Sequence, residues 1–356
     1  MLLLWLLAVA QAPAARPQHD LSSYLVVVAA YASANHTAAL REIRQWPLPE
    51  ITAAVADLQR QGGRLRSVPT SPEQIAFATV EAAVLMHAEA GLAALQALTP
   101  AEAEAHLAAS VALFEWSRDA ARRRRRRGLA IEERIERRDY YLALAATALA
   151  ISLPSEAHPF AEKARDASPV DPEVQLVLGC VTEGLAEEQL LKHLEPAAAV
   201  WRDRAERALR DALAVDAGLL EARLHLGRVL FARGRLVEAE PLLEDVERRS
   251  GDDRQRYLAR LFLGRVAEGR GRPDDAARFY ARALEGWPDS QAARIGLAHV
   301  LERSTGPAAA RPLVAASLSA SRRLDRAADP WWLYPFGPPG LAENALARVW
   351  ERALGR

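Results

Sequence analysis

Residues 220–253 read LEARLHLGRVLFARGRLVEAEPLLEDVERRSGDD, and residues 256–289 read RYLARLFLGRVAEGRGRPDDAARFYARALEGWPD. The two stretches align on a shared Leu-Gly pair. At one constant offset of 37 positions, the matches are Leu226 with Leu263, Gly227 with Gly264, Gly234 with Gly271, Ala239 with Ala276, Leu243 with Tyr280 and Val246 with Ala283. A fixed offset over a whole unit is the signature of an internal repeat.

Each unit of the repeat consists of two predicted helices that are separated by a glycine turn. Apolar residues recur at the helical period, and no sustained alternation indicates a β-strand. The small residues Gly227 and Ala239 let neighbouring helices approach closely, while larger apolar residues fill the space between pairs. Because one helix pair cannot bury both of its faces, successive pairs must stack. The pattern therefore predicts an all-α fold, an α-solenoid of stacked antiparallel helix pairs.

Three weaker copies of the unit extend the repeat in both directions. Residues 139–171 end in a Pro-Val-Asp-Pro break, which is expected to stop one helix and cap the next. Residues 172–217 keep the Leu-Gly pair, and we expect a longer connection between their helices at Glu195-Pro196. Residues 290–321 supply a further unit with a partial second helix. Together the units cover about half of the chain.

The second quoted unit contains a characteristic set of leucine, small, aromatic and proline residues. These residues are Leu263, Gly264, Gly271, Ala276, Tyr280, Ala283 and Pro288. In this respect the chain resembles the tetratricopeptide-repeat family, although it departs from the family pattern at Arg260 and Ala267. The resemblance implies a right-handed superhelix that acts as a non-enzymatic scaffold. Such a scaffold would bind a peptide or protein partner through its concave groove and would need no cofactor.

The resemblance also implies which side chains face the groove. Arg228 and Arg265 occupy the same position of successive units, and we expect them to receive carboxylates of an extended peptide. Glu221, Phe231 and Glu268 are the further groove candidates. An alternative is that the two arginines pair with groove glutamates within the fold.

The composition excludes several classes of protein. The formal net charge is zero, with 46 basic and 46 acidic residues, and 50% of the residues are hydrophobic. A disordered chain would need low hydrophobicity with high net charge, and a general nucleic-acid binder would carry a strong basic excess. The sequence carries no catalytic or metal-binding motif, so we expect neither enzyme activity nor a metal or cofactor. An alternative, an all-α enzyme acting on glycans, would need carboxylates that converge in a cavity.

A block of consecutive arginines interrupts the charge balance. Its members are Arg122, Arg123, Arg124, Arg125, Arg126 and Arg127. Around this arginine block, residues 118–138 carry ten arginines against four acids, a local charge of +6. Such a block is able to bind anionic lipid head groups, acidic protein or nucleic acid, and the first of these gives a second alternative, a membrane-surface adaptor. We favour the other interpretation of the block, a solvated junction between an N-terminal helical region and the repeats.

Residues 329–340, DPWWLYPFGPPG, form a segment rich in aromatic residues, proline and glycine. The aromatic residues of this aromatic segment are Trp331, Trp332, Tyr334 and Phe336. We expect the segment to be non-helical, because proline and glycine interrupt regular structure. A predicted amphipathic helix over residues 341–354 follows and would cap the solenoid. The aromatic segment either packs against the last helix pair or docks a partner, since exposed aromatic residues mark interfaces.

The first 15 residues, MLLLWLLAVAQAPAA, have the pattern of a signal peptide. An apolar run precedes small residues, and we expect cleavage after Ala14. This pattern predicts a periplasmic or secreted protein and makes the chain resemble exported bacterial members of the repeat family. The predicted organisation is a signal peptide (1–14), an N-terminal helical region with degenerate repeats (15–128), repeats like those of the tetratricopeptide family (129–321), and the aromatic segment with its capping helix (322–356).

Overall fold

The computed structural model describes residues 100–126, 135–151, 153–321 and 329–353, together with the single residues 84, 87, 88, 90, 91 and 94. Every regular element within these residues is a helix, and none of these residues lies in a β-strand. The all-α prediction is therefore confirmed. The α-helices are α1 (Pro100–Arg125), α2 (Arg137–Ala150), α3 (Pro154–Ala167), α4 (Pro172–Leu191), α5 (Glu195–Val215), α6 (Leu220–Ala232), α7 (Leu236–Arg249), α8 (Asp253–Gly269), α9 (Pro273–Gly286), α10 (Gln291–Thr305), α11 (Pro307–Ser321) and α12 (Leu341–Ala353).

Helices α4 to α11 form four consecutive pairs that stack on one another. We call the first helix of each pair its A helix (α4, α6, α8, α10) and the second its B helix. Each A helix contacts its own B helix and the next A helix, and each B helix contacts the following A helix. These helices belong to the compact unit Ala148–Leu341. The predicted solenoid of stacked helix pairs is confirmed.

Close packing within a pair depends on the glycine of the Leu-Gly motif. A Cβ atom at Gly264 would lie 2.5 Å from Cε1 of Tyr280, and one at Gly227 would lie 2.7 Å from Cδ2 of Leu243. Contacts below 3.0 Å are essentially never made by real Cβ atoms. A larger residue would therefore force the A helix away from its B helix, which confirms the predicted role of the small residue.

The Pro-Val-Asp-Pro break ends one helix and starts the next, as predicted. Asp171 is the N-cap of α4, and Pro172 stands at its first position. The Oδ1 atom of Asp171 accepts hydrogen bonds from the backbone N–H groups of Glu173 at 2.9 Å and Val174 at 3.0 Å. This side chain satisfies donors that the helix itself leaves without partners.

The connection between α4 and α5 is short, so the expected longer connection at this point is wrong. Helix α4 ends at Leu191 and α5 begins at Glu195. Pro196 lies in the first turn of α5, where its missing N–H group costs no helical hydrogen bond. The extra length of this unit instead lies in its helices, which contain 20 and 21 residues.

The core of the stack consists of aromatic and aliphatic side chains between neighbouring helices. Tyr257, Phe262 and Tyr280 are almost completely buried, and Ala239 and Ala276 are fully buried where the helices approach. Burial of each aromatic side chain stabilises the fold by roughly 2–3 kcal/mol. The packed A helices contact one another in succession, so side chains of neighbouring A helices lie next to each other.

The described residues of Met1–Thr147 and Ala342–Arg356 form a second compact unit. Within it, the Phe114 ring of α1 stacks on Tyr140 of α2 at a centroid distance of 4.0 Å. Helix α12 confirms the predicted terminal helix. The predicted signal peptide and most of the predicted N-terminal region lie outside the described residues, and the proposed boundaries at 128 and 321 stay predictions. Among the described helices, none combines the length and apolar character needed to cross a membrane.

The aromatic segment contains a helix, so the expectation that it is non-helical is wrong. Pro330–Phe336 forms a 3₁₀-helix with Asp329 as its N-cap. Proline at the first position is compatible with a helix, because the first N–H groups have no partner within it. Asp329 and Pro330 therefore start a helix, although the segment is rich in proline and glycine.

Candidate binding groove

The candidate site is the surface that the A helices present to the aromatic segment. Because successive A helices contact one another, side chains of α4, α6, α8 and the start of α10 form one continuous lining, which we call the groove. The aromatic segment lies on this lining. It reaches all four helices through Asp329, Trp331 and Tyr334.

Asp329 anchors the aromatic segment at the start of α10. Its carboxylate accepts hydrogen bonds from the hydroxyl of Tyr257 at 2.6 Å, the hydroxyl of Ser290 at 3.1 Å and the backbone N–H of Ala292 at 3.0 Å. The same carboxylate accepts the backbone N–H of Trp331 at 3.0 Å, which caps the 3₁₀-helix. A helix N-terminus favours negative charge, so this one side chain stabilises the start of two helices.

Trp331 lies over α8. Its ring packs edge-on against Phe262 at a centroid distance of 6.0 Å. The guanidinium carbon of Arg265 lies 5.0 Å from the centroid of the same indole ring. An arginine over an indole face is a cation–π contact, and the indole therefore meets both an apolar and a cationic partner.

Tyr334 is buried in the groove and is only 5% exposed. Its ring stacks on His225 at a centroid distance of 4.7 Å and packs edge-on against Phe262 at 5.5 Å. Its hydroxyl donates a hydrogen bond to Oε1 of Glu183 at 2.8 Å and lies 2.8 Å from Nδ1 of His225. Burial and the negative charge of Glu183 raise the pKa of Tyr334 well above its ordinary value, so the phenol stays a donor.

The floor of the groove beneath Tyr334 is a buried ion-pair network. Glu183 accepts hydrogen bonds from Nδ1 of His225 at 2.6 Å and from Nη1 of Arg228 at 2.7 Å. Burial opposes ionisation of Glu183, but the charges of Arg228 and His225 outweigh it and hold the pKa below its usual range. Burial also opposes the charge on His225, but Cys180 and Glu183 raise the pKa of that imidazole well above its ordinary value.

A second buried carboxylate, Glu221, extends the network. Nη2 of Arg254 donates to it at 2.6 Å, Nε2 of Gln255 donates at 2.5 Å, and Nε2 of His225 lies 3.5 Å away. Burial alone would raise the pKa of Glu221. Hydrogen bonds and charges from His225 and Arg254 outweigh burial and lower the pKa of Glu221 to about 2. This carboxylate is therefore ionised and held by its neighbours.

Family models of the tetratricopeptide repeat match residues 202–261, 239–291 and 261–331. Residues 202–331 of the chain therefore contain tetratricopeptide repeats. Proteins built from such repeats generally act as scaffolds for protein–protein interactions, because the stacked pairs create an extended binding surface. No curated protein matches the chain at a significant level.

Several solved structures are similar to the chain over about half of its length. MamA from Desulfovibrio magneticus RS-1 (residues 41 to the end) is 18% identical and has a TM-score of 0.43, covering 53% of this chain and 98% of its own. MamA from MSR-1 is 22% identical with a TM-score of 0.41, covering 52% and 98%. PilF from Pseudomonas aeruginosa is 20% identical with a TM-score of 0.43, covering 52% and 77%.

The tetratricopeptide repeats place Arg228 and Arg265 in equivalent positions, but their partners differ. Arg228 pairs with Glu183 and also with Glu187 at 2.9 Å, and its guanidinium lies 5.4 Å from the centroid of Tyr334. Arg265 lies over Trp331 and forms no ion pair within the described ranges. For Arg228 the structure therefore shows the second of the two predicted arrangements, in which the arginine pairs with glutamates of the chain itself.

The other predicted groove residues are Glu221, Phe231 and Glu268. Glu221 is buried in the ion-pair network described above. Phe231 is half-buried in the last turn of α6. Glu268 accepts a hydrogen bond from the hydroxyl of Tyr280 and lies 3.5 Å from Nε2 of His299. Their contribution to partner binding stays a prediction.

An open cleft of about 370 Å³ continues the groove beside the aromatic segment. Its walls include Trp331, Trp332 and Ile295, and the charged groups at its edge include Arg265 and Glu268. Trp332 is 47% exposed and Ile295 is 59% exposed. The cleft therefore combines an apolar wall with a guanidinium that has no carboxylate partner among the described residues.

The two remaining predicted sites are described only in part. Most of the arginine block is exposed at the end of α1, namely Arg122, Arg123, Arg125 and Arg126. Arg122 forms an ion pair with Asp119. The side chain of Arg124, the whole of Arg127 and the side chain of Phe336 lie outside the described residues. Contact of the arginine block with a membrane stays a prediction.

Sequence reasoning missed several side chains that hold the aromatic segment. His225 carried an available signal, because it occupies the repeat position of Phe262 and both rings contact Tyr334. Asp329 also carried one, since an aspartate before a proline is typical of a helix start. Tyr257 and Ser290 carried none, because their hydrogen bonds join positions that only the folded chain brings together.

Proposed function

We propose that this chain is a non-enzymatic scaffold that binds a peptide or protein partner through the groove of its tetratricopeptide repeats. The observation that carries the proposal is the occupied groove itself. A segment of the chain lies on the A helices, and its Asp329, Trp331 and Tyr334 side chains contact groove residues. A surface that holds this segment has the shape and chemistry to hold another peptide.

The buried carboxylates support a binding role over the alternative of a glycan-cleaving enzyme. Two carboxylates that work as acid and base need environments that push their pKa values apart. Glu183 and Glu221 instead both have lowered pKa values, and both are surrounded by cationic partners. Tyr334 also covers Glu183. These carboxylates fit a structural role beneath a binding surface.

Partner binding is expected to begin in the open cleft beside Trp332. The cleft offers apolar contact from Trp332 and Ile295, and Arg265 offers a cation that lacks a carboxylate partner within the described residues. Guanidinium groups bind carboxylates in a bidentate geometry that carries both affinity and specificity. A partner that presents an acidic residue beside an apolar one would satisfy both features.

The test is affinity capture from the organism that encodes the chain, with mass spectrometry of the bound proteins. Arg265→Glu reverses the charge in the cleft, and Arg311→Glu, at an exposed position of α11, is the matched control. We expect proteins that the wild type and Arg311→Glu capture to be lost with Arg265→Glu. Capture that is unaffected by Arg265→Glu would contradict groove binding, provided that circular dichroism shows both variants folded.

We also propose that the chain is exported, on the basis of the apolar N-terminal sequence and the small residues before Ala14. N-terminal sequencing of the protein from periplasmic and culture fractions tests this proposal directly. A mature chain that begins at Ala15 is the expected result. Protein that is found only in the cytoplasm with an intact N-terminus would contradict it.

A further inference from the structure

We infer that the groove recognises peptides with the pattern Asp-x-Trp-x-x-Tyr, and that residues 329–334 are a resident copy that a partner segment must displace. The inference rests on the proposed function and specifies its ligand. Three contact points of the resident segment define the pattern. Each point has its own chemistry, and their spacing along the segment is fixed by the 3₁₀-helix Pro330–Phe336.

The first contact point accepts a carboxylate. Two hydroxyls, from Tyr257 and Ser290, and the backbone N–H of Ala292 converge on Asp329, which is 2% exposed. The N-terminus of α10 adds its positive end at the same place. A neutral residue at this position of a peptide would leave the N–H and hydroxyl donors without their charged acceptor, which lowers affinity.

The second contact point accepts an indole. Phe262 supplies an edge-on apolar contact, and Arg265 covers the face of the ring. A tryptophan satisfies both partners because its face attracts a cation and its large area is apolar. A leucine at the same position would keep only the apolar part of this interaction.

The third contact point distinguishes tyrosine from phenylalanine. The Tyr334 ring fills the space between His225 and Phe262, and its hydroxyl reaches the buried Glu183. A phenyl ring would fill the same space but would supply no donor to the carboxylate. Sites that hydrogen-bond a hydroxyl discriminate strongly against an analogue that lacks it.

At the first and third contact points, the receptor residues contact one another as well as the aromatic segment. Glu183 is bound by His225 and Arg228 within the A helices, and the hydroxyls of Tyr257 and Ser290 lie 2.7 Å apart. These contacts join groove residues to one another and involve no atom of the segment. Contacts of this kind preorganise these two contact points, which lowers the entropic cost of binding a peptide.

The resident copy makes binding of a partner competitive. A segment of the same chain competes at a high effective concentration, so a free peptide binds the wild type weakly. Weakening the resident copy while keeping the receptor residues intact should open the site. The double variant D329N/Y334F does this with near-isosteric side chains, because both substitutions lie in the aromatic segment.

The experiment measures binding of a fluorescein-labelled peptide of residues 329–337, DPWWLYPFG, by anisotropy. We expect D329N/Y334F to bind it about tenfold or more tightly than the wild type, since each lost hydrogen bond to a charged group weakens the competitor. A Tyr334→Phe version of the peptide should bind D329N/Y334F about tenfold more weakly than the native peptide does. Thermal unfolding confirms that the variant is folded.

Two outcomes would overturn the inference. One is a folded D329N/Y334F variant that binds neither peptide. The other is equal affinity for the native and Tyr334→Phe peptides, which would show that the groove does not read the hydroxyl. If Arg265-dependent capture of partners persists in either case, the scaffold function stands and only the recognition pattern fails. If the peptide binds as expected but no partner depends on Arg265, the proposed docking cleft fails instead.

Discussion

The hydroxyl of Tyr334 donates a 2.8 Å hydrogen bond to Oε1 of Glu183, a residue that lies 151 positions earlier in the chain. Glu183 belongs to α4 and Tyr334 to the aromatic segment, so one contact joins the first of the four stacked pairs to a segment that follows the last. The phenol lies beside an ionised carboxylate with little access to solvent. This geometry makes the contact a measurable contribution to stability.

Tyr334→Phe should lower the free energy of unfolding by about 1–3 kcal/mol. The substitution keeps the ring but removes a hydrogen bond to a buried charge, and such bonds contribute about 1.5–3 kcal/mol. Urea unfolding followed by circular dichroism measures the change. Trp332→Phe, at an exposed position of the same 3₁₀-helix, is the control and should change stability by less than about 0.5 kcal/mol. Equal losses in the two variants would contradict a specific role for the hydroxyl.

The stability of the compact unit Ala148–Leu341 should decrease towards both acidic and alkaline pH. The folded-state pKa values of Glu183 and Glu221 are lowered, that of Glu221 to about 2. The stability that these carboxylates contribute is therefore present above their unfolded-state pKa values, and it is lost as the pH falls through their folded-state pKa values. The folded-state pKa of His225 is raised. The stability that this imidazole contributes is therefore complete below its unfolded-state pKa, and it is lost as the pH rises through its folded-state pKa. Between the two limits the ion-pair network is fully formed.

The measurement is the melting temperature across a pH series, compared with the variant Glu221→Gln. This variant removes the group whose pKa is lowered to about 2, so it should be less stable than the wild type at neutral pH and lose less stability on acidification. Arg254 loses its carboxylate partner in the variant. Parallel pH profiles for the two proteins would show that Glu221 does not contribute to the acid limb.

Gly264→Ala should destabilise the chain by about 1–3 kcal/mol, because its methyl group would lie 2.5 Å from the Tyr280 ring and force the two helices apart. Gly286→Ala is a matched control at the end of α9, where a Cβ atom meets no atom within 4 Å. That control should be neutral or stabilise the protein by about 0.4–1 kcal/mol. Chemical denaturation distinguishes the two, and a stable Gly264→Ala would show that the helix pair adapts without cost.

The helix pairs could be predicted from the sequence because their signals are local. The Leu-Gly motif and the apolar spacing both lie within one unit, and repetition at a fixed offset doubles the evidence. Positions equivalent to Arg228 and Arg265 could likewise be assigned to one surface. Their different partners could not, since Arg228 pairs with Glu183 of the preceding A helix and Arg265 meets Trp331 of the aromatic segment.

The occupied groove could not be predicted because its contacts are long-range. The hydrogen bond from Tyr257 to Asp329 spans 72 positions, and nothing in the local pattern of either residue specifies the other. The proline and glycine residues around the aromatic side chains predict a non-helical segment. The Asp329 carboxylate outweighed them, because it caps the 3₁₀-helix and binds the start of α10 at once.

Asp329→Asn should release the aromatic segment and loosen the first turn of α10 together. The asparagine amide keeps the size of the side chain but removes the negative charge to which Tyr257, Ser290 and the N–H of Ala292 donate. Its NH₂ group is also a donor, so it faces other donors instead of accepting their hydrogen bonds. We expect a loss of about 1–2 kcal/mol in unfolding free energy, as for other helix caps. Hydrogen–deuterium exchange should accelerate at Trp331 and at Ala292 in parallel.

Asp289→Asn is the control, since Asp289 lies just before α10 but is exposed and 3.6 Å from Arg294. Exposed ion pairs contribute little, so this variant should leave both exchange rates near those of the wild type. Faster exchange at Trp331 alone would mean that Ser290 is a sufficient cap for α10, because its hydroxyl already accepts the N–H of Ala293. Faster exchange at both positions, in Asp329→Asn only, would show that one carboxylate couples the segment to the helix on which it docks.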